Sequence, residues 1–238
     1  MYHFRYDLRV SAVRKIAKDY FSELKNALDK IELKDLQKIT EVLAQARKDK
    51  RTIFIMGNGG SASTASHIAC DLGKGTLKNV YNPAEDRLRV ISLTDNVATM
   101  TAFANDLSYD EIFVQQLHNL MKEGDVVIGI SGSGNTPNVI KALMYAKQNG
   151  ATTIGFLGFH TGGIAKEFAD YSIIVKSSSY GVVEDVHLSL NHILTICLAS
   201  SNQSEVFTNG ESKGFRKTKE SRRHKKRLPG NQKRVLSR

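Results

Sequence analysis

Two loops rich in glycine and serine have the composition of anion-binding sites. The glycine loop, residues 57–64, reads GNGGSAST after the apolar run TIFIM, and the serine loop, residues 131–137, reads SGSGNTP after the run DVVIGI. Glycine lets the backbone approach a ligand closely, and free N–H groups at a helix start favour negative charge. The hydroxyls of Ser131, Ser133 and Thr136 converge there, with Thr136 in an N-cap position before a proline. This pattern indicates a phosphate cradle without a P-loop lysine, or else a plain Ser/Gly turn before a capped helix.

The glycine loop also has the form of a dinucleotide-binding fingerprint. Gly57, Gly59 and Ala62 fit the pattern G-x-G-x-x-A, and Gly60 adds another point of close backbone approach. That fingerprint needs an acidic residue roughly 20 positions later, at the end of the second strand. The acidic residue in that place, Asp95, lies about twice as far along the chain. The spacing weakens the dinucleotide interpretation without eliminating it.

Titratable side chains at helical spacing could supply acid–base chemistry. His67 and Asp71 are four residues apart and project from one face of the helix predicted after the glycine loop. A second set lies near one side of the last predicted helix, at Glu184, His187, Asn191 and His192. A lone histidine on a helix is more often a hydrogen-bonded structural residue than a ligand, and we interpret His187 in that way.

Apolar runs alternating with helical stretches must position these groups. Five buried strands are predicted, at Thr52–Met56, Leu88–Leu93, Asp125–Ile130, Thr152–Leu157 and Tyr171–Val175. The helix candidates among and after them are Ser61–Leu72, Ala98–Asn105, Asp110–Met121, Asn138–Gln148, Gly163–Phe168 and Val183–Ala199. Near-continuous apolar strands alternating with helices indicate an α/β fold with a parallel sheet covered on both faces. Such sheets bind ligands outside the carboxyl ends of their strands, where both loops lie.

The first fifty residues predict two amphipathic helices ahead of the first strand. Apolar positions recur at helical spacing over residues 13–31, and again on a slightly different face over residues 36–46. Two such helices are expected to pack against something besides the sheet, and a partner subunit is the economical candidate. We therefore expect a homo-oligomer.

Length, apolar content and cysteine usage bound the class of protein. The 238 residues include 41% hydrophobic side chains, enough to bury a sizeable core in one large domain or two small ones. No uninterrupted apolar run approaches the roughly 20 residues of a membrane-spanning helix, and the first residues lack the apolar segment of a secretion signal. Cys70 and Cys197 have no metal-ligand spacing, and two cysteines argue against a disulfide framework. We expect a cytoplasmic protein that does not associate with membranes.

The net charge of +10 is concentrated at the C-terminus. Residues 202–238 contain twelve Lys/Arg against three Asp/Glu, which leaves the rest of the chain nearly neutral. This stretch has few apolar residues and no periodicity, so it cannot bury enough surface to offset the entropy of ordering. We predict one domain at residues 1–200 and a disordered basic tail at residues 201–238. The tail could bind nucleic acid or be a solvated appendage, and it lacks aromatic residues interleaved for base stacking.

Five segments of the chain, in order, resemble one protein family. They are MGNGGSAS with SHIACDL, SLTDN, FANDLSYDEIF, GISGSGNTPNVIKAL and VEDVHLSLNHIL. On these segments the chain resembles, over about residues 8–199, the sugar isomerase (SIS) domain proteins and within them the phosphoheptose isomerases. The resemblance implies a flavodoxin-like αβα sandwich around a five-stranded parallel sheet, in a tetramer with sites between subunits. It also implies isomerisation of a sugar phosphate, with sedoheptulose 7-phosphate as the leading substrate.

The resemblance assigns roles by position. It implies phosphate binding by Ser131, Ser133 and Thr136, and other substrate contacts by Asn58, Gly59, Gly60, Ser61, Asp95 and Glu184. Asp71 falls where the family has its catalytic glutamate, so it is the expected base, and His192 falls on the catalytic histidine. An aldose–ketose isomerisation needs such a pair, because a base takes a proton from the carbon beside the carbonyl and an acid moves protons between the enediol oxygens.

Departures from the family pattern leave alternatives open. Asp71 is one methylene shorter than the family's glutamate, Glu184 replaces a glutamine, and residues 180–182 lack an expected Asp-Arg pair that contacts sugar. In some members the positions of His67, Asp71, Glu184 and His192 form a zinc site, and the added anion favours bound Zn²⁺ over a metal-free acid–base pair. Another phosphosugar isomerase, or a non-catalytic SIS scaffold that binds a replication initiator, remains an alternative function.

Overall fold

A parallel sheet forms the centre of the molecule. The computed structural model describes residues 10–201. Its strands are β1 (Thr52–Gly57), β2 (Arg89–Ser92), β3 (Val126–Ser131), β4 (Thr152–Leu157) and β5 (Tyr171–Ile174). All neighbours are parallel, in the order β2-β1-β3-β4-β5. Each strand lies within one residue of its predicted bounds, which confirms the five-stranded parallel sheet.

Seven α-helices are described within residues 10–201. They are α1 (Val10–Asp29), α2 (Leu33–Lys48), α3 (Gly60–Cys70), α4 (Val97–Asp106), α5 (Val114–Leu120), α6 (Pro137–Gln148) and α7 (Tyr180–Ser201). The predicted helix Asp110–Met121 is wrong in its first turn, which is a separate 3₁₀ turn at Tyr109–Glu111. The predicted helix Gly163–Phe168 is only a 3₁₀ turn, because Gly163 has φ +58° and five residues are too few for a stable α-helix.

Helices cover both faces of the sheet. In β1, Ile53 and Ile55 pack into a core shared with α2, α3 and α7, whereas Phe54 and Met56 pack into a second core with α5 and α6. Every residue of β1 is buried, as expected for a strand covered on both sides. This arrangement confirms the predicted αβα sandwich.

The strand order sets the position of the ligand crevice. From β1 the chain crosses to β2 on one side, and it later enters β3 on the other side. In open α/β sheets the crevice lies at such a switch, outside the carboxyl ends of the strands. Gly57 pairs with Ile130 in the β1–β3 register, so the glycine loop and the serine loop begin side by side.

Helix α7 is a core helix that also carries several candidate site residues. By length and composition alone it could cross a membrane. Its apolar side packs into the core at Val182, Val183, Val186, Leu190, Leu194 and Leu198, all of which are buried. Packing against the sheet and the other helices therefore accounts for the apolar residues on that side, whereas Ile193 and Ile196 of the same helix are exposed.

Helix α1 holds the beginning of α7 through polar contacts. The Tyr20 hydroxyl donates to Asp185 Oδ2 at 2.6 Å, and the Ser177 hydroxyl donates to Glu23 Oε1 at 2.6 Å. Burial and the Asp185 carboxylate together raise the pKa of Tyr20 to about 12, so the phenol remains a donor at neutral pH. The first predicted helix therefore helps to fix the helix that bears Glu184 and His192.

His187 is a structural residue, as the sequence analysis proposed. It is fully buried on α7, and its Nε2 lies 3.2 Å from the Leu157 carbonyl oxygen, to which the Nε2–H tautomer donates. Burial lowers the pKa of His187 to about 4, and the Leu157 hydrogen bond offsets only part of that effect. The imidazole therefore stays neutral and ties α7 to the carboxyl end of β4.

We expect the stability of the protein to fall between pH 7 and pH 5 because of this histidine. The folded pKa of about 4 is below the unfolded value of roughly 6.5, so the unfolded state binds the proton first as the pH falls. The contribution is present above pH ~6.5, and about 2 kcal/mol of it is lost by pH 5. Urea unfolding at both pH values measures it. His187→Gln should be less stable at pH 7 but show a smaller pH dependence, and an unchanged dependence would contradict the assignment.

Candidate active site

An amide pair joins the glycine loop to the start of α6. Asn58 Nδ2 donates to Asn138 Oδ1 at 2.9 Å, and Asn58 Oδ1 accepts from the Tyr109 hydroxyl at 2.8 Å. Asn138 is buried in the first turn of α6. Sequence reasoning identified Asn58 but missed both partners, whose only signal was their place inside two of the family-like segments, GISGSGNTPNVIKAL and FANDLSYDEIF.

Internal hydrogen bonds shape the serine loop. Ser131 Oγ accepts from the Gly134 N–H at 3.0 Å and lies 3.0 Å from the Thr136 hydroxyl, while Ser133 Oγ accepts from the Asn135 N–H at 3.2 Å. Helix α6 begins directly after Thr136, as predicted, but the Thr136 side chain does not cap it. The capping prediction is wrong because the hydroxyl bonds to Ser131 instead. The first-turn N–H groups of α6 therefore receive no capping bond from Thr136, which suits an anion at this helix start.

Residues 162–165, in the segment after β4, pack against the serine loop and hydrogen-bond to it. Gly134 has φ +65°, and a Cβ there would overlap the backbone oxygen of Gly162. The Ala165 N–H donates to the Gly134 oxygen at 2.8 Å, and the Ile164 N–H donates to Asn135 Oδ1 at 3.0 Å. Backbone contacts thus hold the serine loop in its shape.

Two neighbouring parallel helices bring the titratable residues together. Near their starts, the Glu184 carboxylate of α7 lies against Gly60 of α3. Further along both helices, Asn191 Nδ2 donates to Asp71 Oδ2 at 2.7 Å. Because these contacts occur in the same order along the two helices, α3 and α7 run in the same direction with their site residues side by side.

His67, Asp71 and His192 form one cluster. Asp71 Oδ2 lies 3.1 Å from His67 Nε2 and 3.8 Å from His192 Nε2. The two imidazole centroids are 5.2 Å apart with an interplanar angle of 71°. The side chain of Asp71 is 26% exposed and that of His192 is 52% exposed, so a ligand can reach both. Two imidazole nitrogens around a carboxylate suit a divalent cation such as Zn²⁺, or proton transfer by an acid and a base.

Asp71 stands where α3 changes its geometry. The α-helix ends at Cys70, and the chain continues as a π turn over Asp71–Gly75. The predicted single α-helix Ser61–Leu72 is therefore corrected at its end. π turns are rare and often occur at functional sites. Here the turn begins at the residue with the central carboxylate of the cluster.

Glu184, the fourth predicted metal ligand, does not join this cluster. Among residues 10–201 the metal-type grouping contains His67, Asp71 and His192, whose ligand atoms lie within 4.8 Å of one another. Glu184 precedes His192 by eight residues, or about 12 Å along a helix, so its carboxylate reaches Gly60 instead. A Cβ at Gly60 would overlap that carboxylate, and Gly59 adopts φ +56° just before it. Glu184 therefore lies beside the glycine loop, and its other predicted role, substrate contact, stays a prediction.

The remaining predicted residues lie around the glycine loop and the α3 start. Ser61 is buried in the first turn of α3, and its N–H donates to the Asn58 oxygen at 3.0 Å. Asp95 follows β2, and its carboxylate accepts hydrogen bonds from the Ser66 and Thr94 hydroxyls. These contacts hold Asp95 beside the exposed side of α3. The substrate-binding roles of both residues remain predictions.

Most of the chain is similar in sequence to proteins of one family. Residues 19–158 match the family model of the SIS domain. A phosphoheptose isomerase of Clostridium acetobutylicum is 40% identical over 163 residues, which cover 68% of this chain and 80% of that protein. A phosphoheptose isomerase of Aquifex aeolicus is 37% identical over 182 residues, covering 76% of this chain and 92% of that protein.

A solved structure agrees with these sequence matches. The phosphoheptose isomerase GmhA from Neisseria gonorrhoeae superposes with a TM-score of 0.71 at 27% identity, covering 79% of this chain and 99% of that chain. The residues that match the SIS domain model, 19–158, include the glycine loop, the serine loop and the site residues His67 and Asp71. The site residues of α7 lie outside that match. The chain therefore belongs to the SIS domain family and, within it, to the phosphoheptose isomerases.

Proposed function

We propose that this chain isomerises sedoheptulose 7-phosphate to glycero-manno-heptose 7-phosphate through an enediol, in heptose biosynthesis. The observation that carries the proposal is a carboxylate flanked by two imidazoles on helices that begin beside the glycine and serine loops. The names of the relatives support the seven-carbon substrate. The distance between the two parts of the site also fits a long sugar, because His67 lies seven residues, or about 10 Å, along α3 from Gly60 of the glycine loop. A ligand that contacts both must be an elongated one.

In the proposed reaction the serine loop binds the substrate and the cluster transfers the protons. The serine loop and the α6 start hold the phosphate, with Ser131, Ser133 and Thr136 around it. Asp71 takes a proton from the carbon beside the ketose carbonyl, which forms the enediol, and returns a proton to the neighbouring carbon. His192 moves protons between the two enediol oxygens. The bound phosphate thereby fixes the reacting carbons against Asp71.

The cluster also fits a divalent metal ion. His67, Asp71 and His192 supply two nitrogen ligands and one oxygen ligand, which is a donor set that Zn²⁺ uses with an open position for substrate. When bound, Zn²⁺ would polarise the sugar carbonyl as a Lewis acid and stabilise negative charge on its oxygen. Asp71 would then be a metal ligand as well as the neighbour of the reacting carbon.

We expect protein purified without chelator to contain zinc in stoichiometric amount. Chelation should lower the turnover, and added Zn²⁺ should restore it, because the ion contributes charge stabilisation at the carbonyl. Elemental analysis and activity before and after chelation measure this. His67→Ala should lower the metal content, whereas His118→Ala, at a histidine that stacks on Tyr145 away from the cluster, should leave it unchanged. Metal-free protein with chelator-insensitive turnover would leave the bare acid–base pair of Asp71 and His192.

The exposed apolar side of α1 supports assembly as a homo-oligomer, with a tetramer as the proposed form. Val13, Ile16 and Phe21 are 49%, 43% and 66% exposed, although their helical spacing is that of a packed face. A partner subunit would cover this surface. A monomer by light scattering at micromolar concentration would exclude the oligomer. The cytoplasmic location remains a prediction. The basic tail that we predicted to be disordered at residues 201–238, with nucleic acid as an alternative partner, lies outside the described residues except for Ser201.

A panel of sugar phosphates tests the proposed function. Purified protein is incubated with five-, six- and seven-carbon ketose phosphates, and formation of the matching aldose phosphate is followed. We expect turnover of the seven-carbon substrate above all others. Preference for a shorter sugar would favour another phosphosugar isomerase, an alternative that the short Asp71 side chain keeps open. Binding without turnover of any of them would favour a non-catalytic scaffold.

A further inference from the structure

Asn191 makes the shortest polar contact to the carboxylate of the cluster. Its Nδ2 donates to Asp71 Oδ2 at 2.7 Å, compared with 3.1 Å and 3.8 Å from that oxygen to the two imidazole nitrogens. Asn191 is 0% exposed on α7, directly before His192. The structure does not place it within reach of the open side of the site, so its only evident action is on Asp71.

This hydrogen bond determines how Asp71 is oriented. Oδ2 is held toward Asn191 and the imidazoles, so the carboxylate is not free to rotate. An amide cannot exchange a proton at neutral pH, so Asn191 can orient the carboxylate without competing for the transferred proton. Asp71 also has a shorter side chain than the glutamate that the family resemblance implies, and a misplacement of about 1 Å can lower a rate on the order of a hundredfold.

The packing of Asn191 argues against a role in stability. Its Oδ1 is buried and has no hydrogen-bond partner among the described residues. An unsatisfied buried acceptor destabilises a protein by roughly 1–3 kcal/mol, whereas an apolar residue of similar shape avoids that loss. A leucine at this position would pack into the adjoining core of Leu190 and Leu194. The asparagine is thus unfavourable for packing and favourable only for the contact with Asp71.

We propose that Asn191 is a positioning residue that aims the Asp71 carboxylate at the reacting carbon. The role of Asp71 in that statement rests on the proposed function, whereas the control of its orientation rests on the geometry alone. Asn191 fixes one carboxylate oxygen of Asp71, so the two residues should behave as a coupled pair.

The test compares Asn191→Leu with the parent protein. We expect kcat on sedoheptulose 7-phosphate to fall about 10- to 100-fold, because the carboxylate is no longer held in place. KM should change less than threefold, because the serine loop is untouched. The Tm should be equal or higher. Asp71→Glu added to Asn191→Leu should recover part of the lost kcat, because the longer side chain no longer needs the anchor. Thr195→Val is the matched control, since it also removes an unpartnered buried polar atom of α7 and should leave kcat unchanged.

Crystal structures of the parent protein and Asn191→Leu give a readout that does not depend on turnover. We expect the Asp71 carboxylate to leave its position between the imidazoles in the variant. Unchanged kcat and an unmoved carboxylate would overturn the proposal, as would a parallel loss of Tm and kcat. If the parent protein turns over none of the sugar phosphates, the proposed function fails, and the position of Asp71 in the two structures still decides whether Asn191 aims it.

Discussion

Asp71→Asn is expected to lower kcat for the sugar phosphate about a thousandfold, since a positioned general base contributes roughly 10²–10⁴ in rate. Asparagine keeps the size of the side chain but cannot accept the proton from the carbon beside the carbonyl. The Asn191 amide, which donates to Oδ2, and the two imidazole nitrogens at 3.1 Å and 3.8 Å from that oxygen would also meet an amide instead of a carboxylate. KM should change little, because the serine loop, which we propose as the phosphate site, is not altered. Initial rates of aldose phosphate formation give both constants.

Two further variants accompany Asp71→Asn, one as a control and one as a test of the proposed acid. Asp49→Asn removes an exposed carboxylate at the end of α2 and should leave both constants unchanged. His192→Gln should also lower kcat strongly if His192 moves protons between the enediol oxygens. Asp71→Asn protein that keeps more than a tenth of the parent kcat would show that another group removes the proton. The circular dichroism spectrum and Tm of each variant show whether the fold is intact.

Most of the fold could be predicted because its central strands, β1, β3 and β4, are buried on both faces. Runs such as TIFIM and TTIGFL are rich in β-branched and apolar residues and contain no charge, and their bounds agree with β1 and β4 to within one residue. The helix ends were harder to predict, because the π turn after Cys70 and the 3₁₀ turn at Tyr109–Glu111 have no simple local signal. Their geometry depends on how the neighbouring helices pack, and residue spacing along one segment does not contain that information.

In the candidate site, too, contacts within one helix could be predicted from the sequence, and contacts between helices could not. His67 and Asp71 could be paired from sequence because four residues on one helix fix their proximity. Asn191, by contrast, meets Asp71 only because α7 lies beside α3 in one particular register. The same register places Glu184 at Gly60, away from the histidines with which it was predicted to bind a metal. Contacts within one element follow from spacing, whereas contacts between elements required the packed structure.

Gly134→Ala is expected to have the largest effect on stability among the loop variants. A side chain at φ +65° is strained, and the new Cβ would overlap the backbone oxygen of Gly162, which cannot turn aside as a flexible side chain can. The two effects together should lower the free energy of unfolding by roughly 3 kcal/mol. In the protein that still folds, the serine loop must move away from Gly162. KM for the sugar phosphate should then rise at least about tenfold, as expected when roughly 1.4 kcal/mol of binding free energy is lost.

Gly150→Ala is the control that separates the steric overlap of a Cβ at position 134 from the strain of a positive φ. Gly150 has φ +76°, so the strain is shared, but the nearest atom to its new Cβ belongs to the flexible side chain of Glu123. We expect a loss of only about 1 kcal/mol there and an unchanged KM, because strain alone is involved and the turn after α6 is away from the serine loop. Urea unfolding and substrate kinetics on both variants measure the difference. Equal losses in the two proteins would mean that the Gly162 contact does not hold the serine loop, and the phosphate would then depend on the hydroxyls and the α6 start alone.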